Sequence, residues 1–171
     1  MPIKIIKKIL ILSLFYFTFG ILNAEENLKS VGKFKDWESF ILSKDGNKTC
    51  FAQSIPILRA PKKFARDPSR LFISFRPKEN IKDEISVTSG YEFKAKGTVT
   101  AKSGKKTYDL FSKGRFAWVV DNEDEAKLIK IMKKASRLMI IGNTSKGNQT
   151  TDHYSMMGFT KAYNTAKKSC S

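Results

Sequence analysis

Short apolar segments, each closed by a turn, limit the folds that are open to this chain. Residues 91–96 alternate apolar and polar side chains, which is the period of a half-buried strand. Asp45-Gly46 separates two β-rich segments, Trp37 to Leu42 and Thr49 to Ile55, and suits a hairpin connection. Repetition of such segments predicts a mainly β, antiparallel protein.

Further strands are predicted by the same patterns. They are expected at residues 71–76, 84–88, 98–102, 106–112, 115–120, 137–141 and 149–154. Residues 116–120 are all apolar, so we expect this strand at the centre of the fold, covered on both faces. Residues 56–70 contain three prolines and are expected to form a long surface loop.

The sequence period becomes helical in two places. Asp121 or Asn122 can cap a helix that ends near Ala135, with acidic residues in its first turn and basic residues in its last. Ser155 is expected to cap a second helix, which carries Cys170 on or just beyond its buried face. Together these elements predict an antiparallel β-sandwich or partly open barrel with two packed α-helices.

The amino terminus has the pattern of a secretory signal peptide. Lysines precede the apolar run Ile9 to Leu22, and Ala24 offers a small residue for cleavage. The run is shorter than the roughly 20 residues that span a bilayer. We therefore expect residues 1–24 to be removed, leaving no transmembrane span; an uncleaved anchor is the alternative. Residues 25–171 then form a single domain, in which polar residues 25–32 are expected to be a flexible tail.

The chain is strongly basic. Its 171 residues include 32 Lys and Arg against 16 Asp and Glu, a formal net charge of +16. For a periplasmic or secreted protein the relevant partners are an anionic envelope surface or another protein, and nucleic acid is not expected. The candidate binding residues are five cations in the predicted loop: Arg59, Lys62, Lys63, Arg66 and Arg70. The alternative is a solvated face that serves solubility, within a composition that is basic throughout.

Two cysteines, Cys50 and Cys170, stand far apart in the sequence. In an oxidising compartment the simplest interpretation is an intramolecular disulfide bond. Two free thiols and a link to another chain are the alternatives.

Several motifs resemble those of the invasion-associated locus B family of small exported bacterial proteins. They lie between residues 32 and 170: Phe34-Lys35-Asp36-Trp37, Cys50, Arg66-Asp67-Pro68, Phe116-Ala117-Trp118, Gly147, Thr150-Thr151-Asp152, Tyr154-Ser155, Gly158-Phe159 and Cys170. The resemblance implies a β-sandwich in the periplasm or associated with the outer membrane. Many members carry a further cysteine soon after the opening tryptophan, but this chain has none near Phe40, which leaves Cys50 to pair with Cys170.

Catalytic signatures are weak in this sequence. His153 is the single histidine, so we expect no metal site and no cofactor. Asp152, His153 and Ser155 are too close in sequence for a catalytic triad, because neighbouring strand residues point to opposite faces. The remaining acidic candidates, Glu79, Asp83 and Glu84, are expected in a solvated turn.

The sequence therefore predicts a non-enzymatic, exported protein that binds an anionic envelope component or a protein partner. The alternatives are a hydrolase or other enzyme acting on an envelope polymer, and a subunit of an envelope complex.

Overall fold

The computed structural model describes residues 26–171, and the signal-peptide prediction for residues 1–24 lies outside them. Within the described residues the chain forms one open antiparallel sheet of eleven strands and two α-helices. The prediction of a mainly β, antiparallel fold with two packed helices is confirmed. The strands belong to a single continuous sheet.

The secondary-structure elements follow the chain in this order. The strands are β1 Asn27–Phe34, β2 Trp37–Lys44, β3 Asn47–Ser54, β4 Leu58–Ala60, β5 Arg70–Arg76, β6 Ile81–Thr88, β7 Val99–Ser103, β8 Lys106–Lys113, β9 Phe116–Trp118, β10 Arg137–Asn143 and β11 Gln149–Ser155. The helices are α1 Asn122–Met132 and α2 Phe159–Ser169, and a 3-10 turn spans Pro77–Glu79. In space the strand order is β1-β2-β3-β5-β6-β9-β8-β7-β10-β11-β4.

The hairpin between β2 and β3 forms where Asp45-Gly46 predicts it. Lys44 pairs with Asn47, and both central turn residues have positive φ angles, 50° for Asp45 and 69° for Gly46. Such a turn matches the right-handed twist of the two strands. The pairing fixes the register, so that Cys50 of β3 lies on the buried face.

The core lies on the inner face of the sheet, beneath the helices. Cys50, Ile73 and Ile85 are fully buried there. Helix α2 adds Phe159, whose ring lies 4.8 Å from that of Trp37 in an edge-on contact. Trp37 Nε1 also donates to the Ser155 carbonyl at 2.8 Å, so this buried indole is fully satisfied.

Residues 25–32, predicted as a flexible tail, instead contribute most of strand β1. Asn27 pairs with Ser43 and Phe34 with Trp37, with one irregularity between Ser30 and Gly32. The prediction was wrong because it relied on side-chain alternation, whereas an edge strand can be ordered by backbone hydrogen bonds to its neighbour. For the same reason β4 forms inside the predicted 56–70 loop, by pairing with β11.

Residues 91–96 do not form a regular strand, although their polarity alternates. Phe93 is buried and makes only an isolated bridge to Thr144, and Lys96 has a positive φ of 58° within a turn. Helix α2 begins after Gly158, whose φ is 93°, and not after Ser155. A Cβ at Gly158 would overlap the Phe34 carbonyl, so the close approach of β1 requires glycine there.

Strand β9 is central in the sheet, as predicted, but it is not covered on both faces. Ala117 is fully buried, whereas Phe116 on the other face is 43% exposed. Two of the three apolar residues of this strand, Phe116 and Trp118, therefore lie on the outer face.

Candidate binding surface

The disulfide bond predicted between Cys50 and Cys170 is present, and it joins β3 to the C-terminal end of α2. Ser39 Oγ of β2 donates to the Ala162 carbonyl of the same helix at 2.8 Å. Because Cys50 and Ser39 both face inward, α2 is held against the inner face of β2 and β3. The outer face of these strands is left clear of α2.

Arg66 was predicted to contact an anionic partner, but the structure buries it. Its guanidinium donates to both carboxylate oxygens of Asp152 and, at 2.9 Å, to the Ser89 carbonyl. The Arg66 and Asp152 side chains are only 2% and 0% exposed. Arg66 therefore anchors its loop to β11 and is not available to a ligand from solvent.

The other four predicted cations do not form one patch. Arg59 is half-buried and donates to the backbone carbonyl of Asp67 at 2.5 Å, within its own loop. Lys62 and Lys63 are exposed at the loop tip. Arg70 begins β5, where alternation places it on the outer face of the sheet, opposite Thr88.

A row of aromatic side chains crosses the outer face of the sheet, and we call it the aromatic strip. Its members come from five strands: Phe40, Phe51, Phe72, Trp118, Phe116 and Phe111. Phe40 is directly opposite Phe51, and Phe72 and Trp118 lie on either side of Ser86 on β6. Phe111 is opposite Trp118. The strip thus runs across the strands, not along any one of them.

The rings of the aromatic strip lie close enough to support one another. Phe40 and Phe51 stack with centroids 5.2 Å apart, Phe51 and Phe72 meet edge to face at 6.0 Å, and Phe116 and Trp118 stack at 6.0 Å. Phe111 remains 57% exposed. No other part of the described chain is packed as a layer over these rings.

Part of the aromatic strip borders a shallow depression of about 290 Å³. Its lining includes Ser74 and Ser86, together with the ion pair between Arg76 and Glu84. The pair is bidentate, with nitrogen–oxygen distances of 2.9 and 2.8 Å. This hydrogen bonding to Glu84 raises the pKa of Arg76, which stays charged. The depression therefore combines flat apolar rings with hydroxyl, carboxylate and guanidinium groups.

Two cations lie along one side of the aromatic strip, in a row parallel to it. Lys113 of β8 is directly opposite Phe116 of β9, and Arg70 of β5 lies on the other side of Phe116, beyond Thr88 of β6. This side of the strip combines apolar rings with positive charge.

A second concavity, of about 480 Å³, lies beside β6 and the start of α1 and is lined by Asp83, Glu84 and Glu125. Buried Glu125 accepts a hydrogen bond from the Ile85 amide at 2.6 Å. Desolvation, with repulsion from Glu84 and Asp83, raises its pKa to about 7. Sequence analysis did not select Glu125, because an acidic residue in the first turn of a helix is ordinary.

The carboxylates around this second concavity are engaged by protein groups. Asp83 accepts from the Tyr163 hydroxyl at 2.5 Å, and Glu84 holds Arg76. Both are half-buried, whereas the sequence predicted solvated side chains; Glu79 is exposed as expected. Among residues 26–171 no group of three His, Cys, Asp or Glu side chains is arranged to hold a metal ion.

Asp152, His153 and Ser155 do not assemble as a catalytic triad. The Asp152 carboxylate is inward and bound to Arg66, while His153 belongs to the opposite face of β11. Ser155 Oγ accepts from the Met157 amide at 3.2 Å and so closes the turn after the strand.

Comparison with protein families, curated proteins and solved structures finds no significant match. Neither helix in the described part of the chain has the length and apolar character needed to cross a bilayer.

Proposed function

We propose that this protein is an exported, non-enzymatic component of the bacterial cell envelope that binds an anionic partner through the outer face of its sheet. The observation that carries the proposal is the aromatic strip, which remains open on the sheet face opposite the core and has Arg70 and Lys113 along one side. A half-exposed aromatic surface beside cations is typical of a binding site and has no role in the core.

The proposed location is the periplasm or the cell exterior, with association to the outer membrane. The apolar leader of residues 9–22 and the disulfide bond are the supporting features, since disulfides persist in oxidising compartments. The sequence motifs further support a relationship to the invasion-associated locus B family.

One observation favours a hydrolase as the second candidate. Glu125 has a raised pKa of about 7 beside a concavity, as a general acid would. The neighbouring carboxylates of Asp83 and Glu84 are already bound to Tyr163 and Arg76, so a free catalytic base is lacking among the residues that line it. Binding without catalysis is therefore the better supported function.

Co-sedimentation tests the proposed function directly. Mature, oxidised protein is mixed with purified cell walls, anionic vesicles or neutral vesicles across a salt series. We expect binding to an anionic target that weakens as salt rises, because exposed charges are screened. Absence of binding to every target at low salt would contradict the proposal.

Variants that neutralise selected cations show which of them contribute to binding. Arg70→Gln with Lys113→Gln should weaken binding, whereas Lys134→Gln, in the turn after α1, with Lys161→Gln, on α2, is the control with equal loss of charge. A third pair, Lys62→Gln with Lys63→Gln, tests the loop tip. Arg66 is left intact, because it is part of the fold.

A further inference from the structure

We infer that the aromatic strip is the binding site for a linear acidic polysaccharide, whose sugar rings stack on Phe51, Phe72 and Trp118. This inference rests on the proposed function and names its ligand class. The sugar carboxylates meet the cations Arg70 and Lys113 along one side of the strip. The argument depends on the shape of the rings, their direction across the sheet, and the polar groups between them.

The shape of the strip favours a ligand with flat rings over a lipid surface. Phe51, Phe72 and Trp118 are each half-buried and line the same depression, where Phe51 packs against Phe72 and Trp118 packs against Phe116. They therefore form a platform on the sheet and do not project as wedges. The apolar C–H face of a pyranose ring fits such a platform, because aromatic faces are electron-rich and attract C–H groups. Insertion into a bilayer would require side chains that extend beyond the protein surface.

The direction of the strip suits a polymer. Neighbouring strands lie about 4.8 Å apart. The strip has rings on β2, β3 and β5, an interruption at Ser86 of β6, and rings again on β9 and β8. The measured centroid distances, 5.2 Å for Phe40–Phe51 and 6.0 Å for Phe51–Phe72, follow this spacing. A chain of pyranose rings has a repeat of similar length and can lie across several strands at once.

The polar groups of the depression match sugar hydroxyls. Ser74 and Ser86 lie among the rings, and the planar Arg76–Glu84 pair presents donors and acceptors side by side. The Glu84 carboxylate can accept hydrogen bonds from hydroxyl groups, which a polysaccharide has in abundance.

The positive charge of the protein favours an acidic polysaccharide over a neutral one. The chain carries a net charge of +16, and Arg70 and Lys113 flank Phe116 on the outer face. Carboxylates on alternate or successive sugars would meet these cations while the sugar rings occupy the strip.

Tryptophan fluorescence can follow binding at this site. The chain has two tryptophans, and Trp37 is only 1% exposed, so that a change on titration reports on Trp118. Oxidised protein is titrated with sodium polygalacturonate, and with neutral dextran as the control polymer. We expect a saturable change with polygalacturonate that weakens with salt, and none with dextran. In the variant Trp118→Phe the signal should disappear, while calorimetry still detects binding.

Aromatic variants define the site. Phe51→Ala and Phe72→Ala should each weaken polygalacturonate binding about tenfold, a change of about 1.4 kcal/mol. Val120→Ala and Met157→Ala, at side chains 70% and 52% exposed elsewhere, are the matched controls and should bind as the parent protein does. Circular dichroism and urea unfolding establish that each variant is folded before it is scored, and Phe72→Leu replaces any alanine variant that is not.

The outcomes separate this inference from the proposed function. If cell walls sediment the protein but polygalacturonate does not bind and Phe51→Ala changes nothing, the inference is wrong and the proposed function stands. If an oligothymidylate or anionic vesicles bind the strip in preference to polygalacturonate, the ligand class is wrong. If no anionic target binds at all, both proposals fail together.

Discussion

The buried ion pair between Arg66 and Asp152 shows how one residue can be misjudged from sequence. Arg66 stands among other cations in a proline-rich segment, and that composition predicts an exposed contact. Its partner is 86 positions away in the chain, and no local pattern links the two. Buried charges must be paired and hydrogen-bonded, and this requirement fixes the loop onto β11.

Removal of Arg66 should therefore destabilise the fold. We expect Arg66→Ala to lower the free energy of unfolding by about 3–5 kcal/mol, because it leaves the Asp152 carboxylate buried without its partner. Urea unfolding followed by circular dichroism measures the loss. Arg115→Ala is the control: it breaks the exposed pair with Asp67 and should cost about 1 kcal/mol or less. If the two substitutions lowered the free energy of unfolding equally, Arg66 would not be part of a buried, stabilising ion pair.

Glu125 should make stability depend on pH. Its pKa is raised from an ordinary 4.5 to about 7, first by burial, so the folded protein holds the proton more tightly than the unfolded chain does. This contribution to stability is fully present below about pH 4.5 and is lost as pH rises towards 7. Glu125→Gln, which can keep the hydrogen bond from Ile85, should be more stable than the parent protein at pH 8 and similar to it at pH 4.

Urea midpoints at the two pH values test this expectation. Glu123→Gln, at an exposed position of the same helix, is the control and should show the parent protein's pH dependence. A Glu125→Gln variant that gains no stability at pH 8 would show that the carboxylate is not held in a protonation-dependent site.

At the level of elements, the sequence correctly predicted the strands, turns and helices that are encoded by a few neighbouring residues. The hairpin at Asp45-Gly46, the strand at Leu71–Arg76 and the capped helix after Asp121 were all found from sequence, because a turn, an alternation or a cap is encoded within a few residues. Strand β1 was missed because its order comes from β2. Residues 91–96 were misassigned because Phe93 is buried by tertiary contacts, while the backbone around it turns.

The aromatic strip could be predicted only in part. Phe116 and Trp118 were correctly predicted to lie in a strand, but that strand was expected to be buried on both faces. Which face of each strand looks outward depends on the register between distant strands, and sequence alone does not give it. Phe51 and Phe72 enter the strip only once β3, β5 and β6 are paired.

The disulfide bond is an element-scale constraint, since it ties helix α2 to strand β3. It closes a loop of 120 positions, and in the chain-entropy model such a cross-link stabilises the fold by about 4–5 kcal/mol. We expect Cys170→Ser to lower the free energy of unfolding by up to this amount. Reduction of the parent protein should give the same loss, and a reducing agent should have no further effect on the variant. A Cys170→Ser variant as stable as the oxidised parent protein would show that the disulfide bond does not stabilise the fold.

At the scale of the whole molecule, the two faces of the sheet have different roles. The inner face holds the core, the buried ion pair and α2, whereas the outer face of β2, β3, β5, β6, β9 and β8 carries the aromatic strip. Helices on one side only leave a broad, rigid surface on the other. The proposed binding site thus lies on paired strands in the middle of the sheet, which present its rings on one face.

The pairing of Cys50 with Cys170 also has a consequence for how the protein is made. A polypeptide is synthesised from its amino terminus, so Cys50 has no partner thiol until Cys170, 120 positions later, has been made. Helix α2, which covers the first three strands, arrives equally late. A chain that stopped before α2 would leave the inner face of those strands uncovered and would keep Cys50 as a reactive thiol. Disulfide closure therefore requires that synthesis has passed Cys170.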